Sequence, residues 1–229
     1  MNTFNLCLPS RSWGTGILLG GLLALGNTGL LAETFSVGLP AKEYFTPTNV
    51  RGVAQLPRTI RRVVVVPLAG GMIVSAETAQ ALEEVFAAEL QKQLRFEVVR
   101  LTRSECQQRF GQPEYASVAT LPADFLPALA RTYAADAVLF IDLTAYRGYR
   151  PLQLGVRAKL VTITNPQWLW TFDEIFSADD PGVVKSVRYF YRASAAVDSP
   201  VDLRSGTLQS PTKFAAYVAA ATFTTLPPR

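Results

Sequence analysis

Alternating apolar and polar residues mark the most regular part of this chain, residues 135–176, where three strand-like runs follow one another. The middle run places apolar side chains at every second position, with polar residues or glycine between them: Leu152, Leu154, Val156, Ala158 and Leu160. In the last run Trp168, Trp170 and Phe172 also alternate, which predicts that they share one face. Period-two alternation is typical of antiparallel strands with one buried and one solvated face.

A different pattern precedes these three runs, which together form a predicted β-meander. Residues 61–68 contain four consecutive valines, which predicts a strand buried on both faces. A helix is predicted from a Ser75 cap to about residue 94, because apolar residues recur at three- and four-residue spacing. Residues 96–101 form the next predicted strand. A helical crossover between two strands predicts that they are parallel and that the connection is right-handed.

Further helices are predicted at residues 104–110 and 124–134, and after the meander at 183–192 and 211–222. The last of these begins at Ser210-Pro211, a cap residue followed by proline in the first turn. The sequence therefore predicts an α/β (α+β) fold: a β-α-β-α-β-β-β mixed sheet with helices packed on it and a C-terminal helical extension.

The N-terminal segment has the features of an export signal. Arg11 is the single charged residue among the first 32, and an apolar stretch ending in small residues follows it. Cleavage is predicted after Gly26 or after Ala32, with a retained membrane anchor as the alternative. The predicted organisation is a signal peptide or anchor at 1–32, an extended proline-containing linker at 33–59, an α/β domain at 60–178 and a helical extension packed on it at 179–229.

Composition narrows the function. The 229 residues are 49% apolar, enough for a substantial core, and the net charge is +4. The basic residues are scattered, so no nucleic-acid partner is expected. Cleavage would remove Cys7 and leave Cys106 as the one thiol, which excludes an intramolecular disulfide.

Catalytic signatures are missing from the sequence. The chain contains no histidine, the glycine turn at residues 69–71 lacks a phosphate-loop motif, and no metal-ligand spacing is present. We therefore expect neither cofactor nor metal, and no enzymatic activity. The alternative is a hydrolase, or a small-ligand or glycan-binding protein, that uses the carboxylates of Asp142, Asp173 and Glu174.

The connection between the first two meander strands is the strongest candidate for a partner-binding site. Tyr146, Arg147, Tyr149 and Arg150 lie within five residues of one another, and both residue types are enriched in protein–protein hot spots. A solely structural role, with tyrosines flanking strands and arginines solvating a turn, is the alternative. Trp168 and Trp170 are expected to pack under helices, and a sugar-stacking role is the alternative for them.

Three segments resemble a known envelope fold: the valine strand at 61–67, the Ala135-Asp136 step into an apolar strand, and the closing hairpin at 158–170. Together they are similar to the amino-terminal fold shared by penicillin-binding-protein activator lipoproteins, the curli secretion-channel subunit and the TolB amino-terminal domain. The lipid-attachment cysteine of those lipoproteins has no counterpart after the apolar segment.

With the predicted signal, the resemblance implies an exported, non-enzymatic protein-binding module in the periplasm or cell envelope of a bacterium. The implied partner is an envelope protein such as a peptidoglycan synthase or an assembly machine. Contact with the membrane is expected only through the N-terminal segment. Self-association through an open sheet edge is a further expectation.

Overall fold

The computed structural model describes residues 44–194 and 207–229. The predicted signal peptide or anchor, its cleavage points, Cys7 and the first part of the expected linker lie outside these residues. The described chain forms one mixed sheet with helices packed on it, which confirms the predicted fold class.

Six strands form the sheet, in the order β1-β6-β5-β4-β2-β3. Their bounds are β1 Val50–Gly52, β2 Arg62–Val65, β3 Glu97–Arg100, β4 Ala137–Arg147, β5 Gln153–Thr162 and β6 Trp168–Ser177. β2 pairs in parallel with both β3 and β4, as the helical crossover predicted for β2 and β3. The remaining pairs, β4 with β5, β5 with β6 and β6 with β1, are antiparallel.

Five α-helices complete the described fold: α1 Ala76–Gln91, α2 Arg103–Phe110, α3 Phe125–Tyr133, α4 Pro181–Ser194 and α5 Pro211–Thr224. Side-chain caps fix three of their starts. Ser75 accepts from the Thr78 amide, Thr102 and Glu105 form a capping box, and Ser210 accepts from the Lys213 amide. The predicted cap residues Ser75 and Ser210 are thus confirmed.

The sheet is covered on both faces at its β2–β4 end. Alternate residues of β4 point to opposite sides, so Leu139 and Ile141 join a large apolar cluster with α1, α4 and α5. Val138 and Phe140 join a second cluster with α2 and α3. The run of valines in β2 is divided between the same two clusters, as expected for a strand buried on both faces.

The C-terminal helices belong to the larger cluster. Val183 and Val187 of α4, and Phe214, Val218 and Phe223 of α5, are buried against the sheet and α1. Within the described ranges, no helix is both long enough and apolar enough to cross a bilayer.

The described part of the segment expected to be an extended linker is packed on the sheet instead. Val50 of β1 pairs with Phe172 of β6, and Leu56 is buried in the core. The Leu56 amide donates to the Pro228 carbonyl at 2.8 Å, which ties this segment to the C-terminal end. A three-residue strand, Val-Arg-Gly, is too short to show alternation, so the sequence pattern gave no sign of it.

The expectation that Trp168 and Trp170 share a buried face was wrong. Trp170 is buried, and its indole N–H donates to the Thr225 hydroxyl at 3.1 Å, but Trp168 is 59% exposed. The pairing of β5 with β6 shifts register between Leu160 and Val161. Trp170 is paired with Leu160 but Trp168 is paired with Val161, so the two tryptophans do not share a face. An irregularity of this kind moves a side chain to the other face.

Candidate functional site

The predicted partner-binding residues lie at the β4–β5 tip, which we define as residues 146–151. Arg147 braces this tip, because its guanidinium forms an ion pair with Asp179 at 3.1 Å and its Nε donates to the Pro151 carbonyl. Tyr146 is half-buried against the larger core cluster. Tyr149 is 74% exposed and Arg150 is also exposed. The four residues therefore separate into two that hold the tip and two that face solvent.

The candidate carboxylates do not converge. Asp142 on β4, Arg157 on β5 and Asp173 on β6 are paired across the three strands, and Arg157 Nε lies 2.8 Å from the Asp173 carboxylate. Directly paired residues share a face, so the arginine separates the two aspartates. Glu174 follows Asp173 and therefore points to the opposite face. Its carboxylate accepts from the backbone N–H groups of the segment before β1.

Asp142 is 5% exposed, and its carboxylate is held by a neighbouring loop. It accepts from the Ser117 amide at 2.8 Å and from the Ser117 hydroxyl at 2.6 Å. Burial raises the pKa of Asp142, while the hydrogen bonds from Ser117 act in the opposite direction. This arrangement positions a loop on the sheet. The described residues contain no group of three His, Cys, Asp or Glu side chains that could hold a metal ion.

A partly buried charge cluster occupies the glycine turn that follows β2. The amides of Gly70 and Gly71 both donate to one oxygen of Glu114 at 3.0 Å. Arg103 contacts the other Glu114 oxygen, lies 3.2 Å from Glu83 and donates to the Leu68 carbonyl at 2.6 Å. A carboxylate of the chain itself thus occupies both amide donors of this turn. The sequence did not indicate this cluster, because Glu114 lies in a loop without periodicity.

An open, polar half of the sheet is the second candidate surface. We call it the β1–β6–β5 face and define it by Arg51, Lys159, Trp168 and Thr171. These residues line a cavity of about 500 Å³ beside the short edge strand. Sequence reasoning missed the site, because it requires β1 and the register shift near Trp168.

A further cavity formed by described residues is an apolar groove of about 740 Å³ between the segment before β1 and helices α4 and α5. Tyr44 and Tyr189 form one wall, with ring centroids 5.3 Å apart, and Lys185 Nζ lies 4.5 Å from the Tyr44 ring. Phe190 and Tyr217 lie deeper and join the larger core cluster. An apolar side chain would fit this groove.

No family model and no curated protein sequence matches the chain. Similar solved structures include the PelC dodecamer from Paraburkholderia phytofirmans, with TM-score 0.44 and 15% identity over 79% of this chain and 98% of that one. Lipoprotein GNA1162 from Neisseria meningitidis matches with TM-score 0.42 and 19% identity, over 59% of this chain and 99% of that one. The LpoB C-terminal domain from Salmonella enterica matches with TM-score 0.36 and 18% identity, over 51% of this chain and 82% of that one.

The LpoB domain belongs to a penicillin-binding-protein activator lipoprotein. The solved structures similar to this chain thus include a member of the group that the sequence resembles. All three TM-scores lie below 0.5, so the similarity is loose and says nothing about what this chain binds.

Proposed function

We propose that this chain is a non-enzymatic protein-binding module of the bacterial cell envelope, which acts after export to the periplasm. The observation that supports it is the β4–β5 tip, where Tyr149 and Arg150 are exposed on a connection braced by Arg147. Bracing matters because a loop ordered before binding loses less conformational entropy when the partner docks. Tyrosine and arginine are also the residue types that dominate protein–protein hot spots.

Capture of partners from envelope extracts tests the tip. Tyr149→Ala and Arg150→Ala should each reduce recovery of the partner, by about tenfold in affinity or more if the residues are hot spots. Arg131→Ala is a matched control for Arg150→Ala, since it removes an exposed arginine elsewhere. Equal recovery with the tip variants and with wild type would exclude the tip as the binding site.

The finer proposal is that the partner is a peptidoglycan synthase or an envelope assembly machine. Crosslinking from position 149 in cells, followed by mass spectrometry of the captured protein, tests that identity. Recovery of cytosolic proteins alone would contradict it. Intact mass of the protein from fractionated cells would show whether the chain is exported and whether it is cleaved after Gly26 or Ala32.

Self-association through a sheet edge is the second part of the proposed partnership. The two edge strands of the described sheet, β1 and β3, have three and four residues. Short edges offer few unpaired backbone groups to another copy, so we expect such self-association to be weak. Light scattering on the purified protein measures the result, and a monomer at all accessible concentrations would remove this part of the proposal.

The absence of enzymatic activity is tested separately. Purified protein should not degrade peptidoglycan or other glycans. Turnover that disappears in Asp142→Asn, with the fold retained by circular dichroism, would refute the non-enzymatic proposal and favour the hydrolase alternative.

A further inference from the structure

We propose that the β1–β6–β5 face is a binding site for an acidic oligosaccharide, distinct from the β4–β5 tip. Arg51 on β1 pairs with Thr171 on β6, and Thr171 pairs with Lys159 on β5. Directly paired residues in antiparallel strands project from the same face. The register therefore builds one row of cation, hydroxyl and cation across three strands.

The spacing of this row suits a chain of sugars with repeated acidic groups. The backbones of Arg51 and Lys159 are two strand spacings apart, roughly 10 Å. Successive carboxylates of an extended oligosaccharide could meet the two cations, and sugar hydroxyls could meet Thr171. Among the described residues, Arg51 forms no ion pair, and the one hydrogen bond of the Lys159 ammonium, to the Ser117 carbonyl, leaves donors for a ligand.

Trp168 supplies the apolar part of the site. The Lys159 ammonium lies 5.2 Å from the centroid of the Trp168 ring, within the range of a cation–π contact that orients the indole. The side chain is 59% exposed, so much of the ring remains accessible for stacking against the C–H face of a sugar. An aromatic plane beside two cations provides both interactions that an acidic sugar can make.

The shape of the surface favours an oligosaccharide over a flat membrane. The residues line an open cavity of about 500 Å³, to which Val53 also contributes. Asp173, with its carboxylate paired to Arg157, adds a hydrogen-bonding group on the same face, two positions along β6 from Thr171. An anionic bilayer could use the same cations and indole, so vesicle binding is the outcome that competes with this proposal.

The site is also remote from the tip. Lys159 lies six positions along β5 from Gln153, which is beside the tip, and this corresponds to roughly 20 Å along the strand. Oligosaccharide binding and protein capture should therefore respond to different substitutions.

Calorimetry with hexagalacturonate and with neutral maltohexaose tests the proposal on the full chain. The acidic probe should bind and the neutral probe should bind at least about tenfold more weakly, since each charged hydrogen bond contributes about that factor. Trp168→Ala and Arg51→Gln should each weaken the binding of hexagalacturonate about tenfold. Trp168→Phe should retain most of the affinity, and Arg58→Gln, which removes another exposed arginine, should have no effect.

Several results would overturn the proposal. Absence of hexagalacturonate binding, equal binding of both probes, or insensitivity to Trp168→Ala would each do so. Binding to phosphatidylglycerol vesicles that depends on Trp168, without binding of the hexasaccharide, would assign the face to a lipid surface instead. Thermal melting of each variant identifies loss of fold, and Arg51→Gln keeps the test valid if Trp168→Ala is unstable.

Discussion

Substitution of Arg103 by methionine tests whether the charge cluster at the glycine turn stabilises the fold. Arg103 contacts two carboxylates and the Leu68 carbonyl, and the side chains of Arg103, Glu83 and Glu114 are 20%, 12% and 22% exposed. Removal of one partner from a fully buried ion pair costs about 3–5 kcal/mol, and an exposed pair contributes about 0–1 kcal/mol. This partly buried cluster falls between those limits, so we expect the substitution to lower the free energy of unfolding by about 2–3 kcal/mol.

The loss should depend on pH in a specific direction. Burial raises the pKa of Glu83 above 4.5, and the Arg103 charge acts against that rise. A carboxyl whose pKa is raised by folding favours the native state at low pH, and this contribution is lost as pH increases through the native-state pKa. Without Arg103 the native-state pKa of Glu83 should rise further. The variant should therefore lose more stability near pH 7 than near pH 4.

Urea unfolding at both pH values measures the effect. At neutral pH the melting temperature should also fall, by about 4–12 °C for a chain of this size. Arg131→Met is the matched control, because it breaks the ion pair between Arg131 and Asp124, and both of these side chains are mostly exposed. Equal losses at the two pH values, or a loss no larger than that of the control, would refute the assigned role of Arg103.

Three further predictions concern single positions. Cys106 is fully buried, and burial raises the pKa of its thiol to about 11. Iodoacetamide at neutral pH should therefore label Cys106 only after unfolding, which mass spectrometry of the Cys106 peptide can show. Gly155→Ala should lower the free energy of unfolding in urea by about 1–3 kcal/mol, because the new Cβ would lie 2.8 Å from the Ala145 backbone nitrogen at the bulge between β4 and β5. A variant as stable as wild type would contradict this. Thr102→Ala should cost about 1 kcal/mol through loss of the capping box with Glu105, and an unchanged urea midpoint would show that the cap is dispensable.

Sequence patterning predicted the elements that depend on local periodicity. Alternation located β5 and β6, and continuous apolar runs located β2 and β4, whose side chains are divided between the two clusters. Ser75 and Ser210 predicted helix starts through a mechanism that involves only three or four residues. Such features require no knowledge of the tertiary contacts.

Features that depend on distant partners were beyond this reasoning. β1 is three residues long and is a strand only because β6 lies beside it. The exposure of Trp168 results from the register shift between Leu160 and Val161, and a shift of register between strands leaves no periodic signal in the sequence. The candidate β1–β6–β5 face depends on both features, whereas the tip could be predicted because its residues are consecutive.

The pairing of β1 with β6 also bears on how the chain acquires its structure. Val50 and its partner Phe172 are separated by more than half of the sequence. The Leu56 amide is hydrogen-bonded to the carbonyl of Pro228, which is even more distant along the chain. Contacts across such distances close large loops, which makes them slow to form. A ribosome-bound nascent chain cannot complete this side of the molecule until the residues around Pro228 have emerged. Loss of β1 would leave the backbone of β6 open on that side to pairing with another polypeptide.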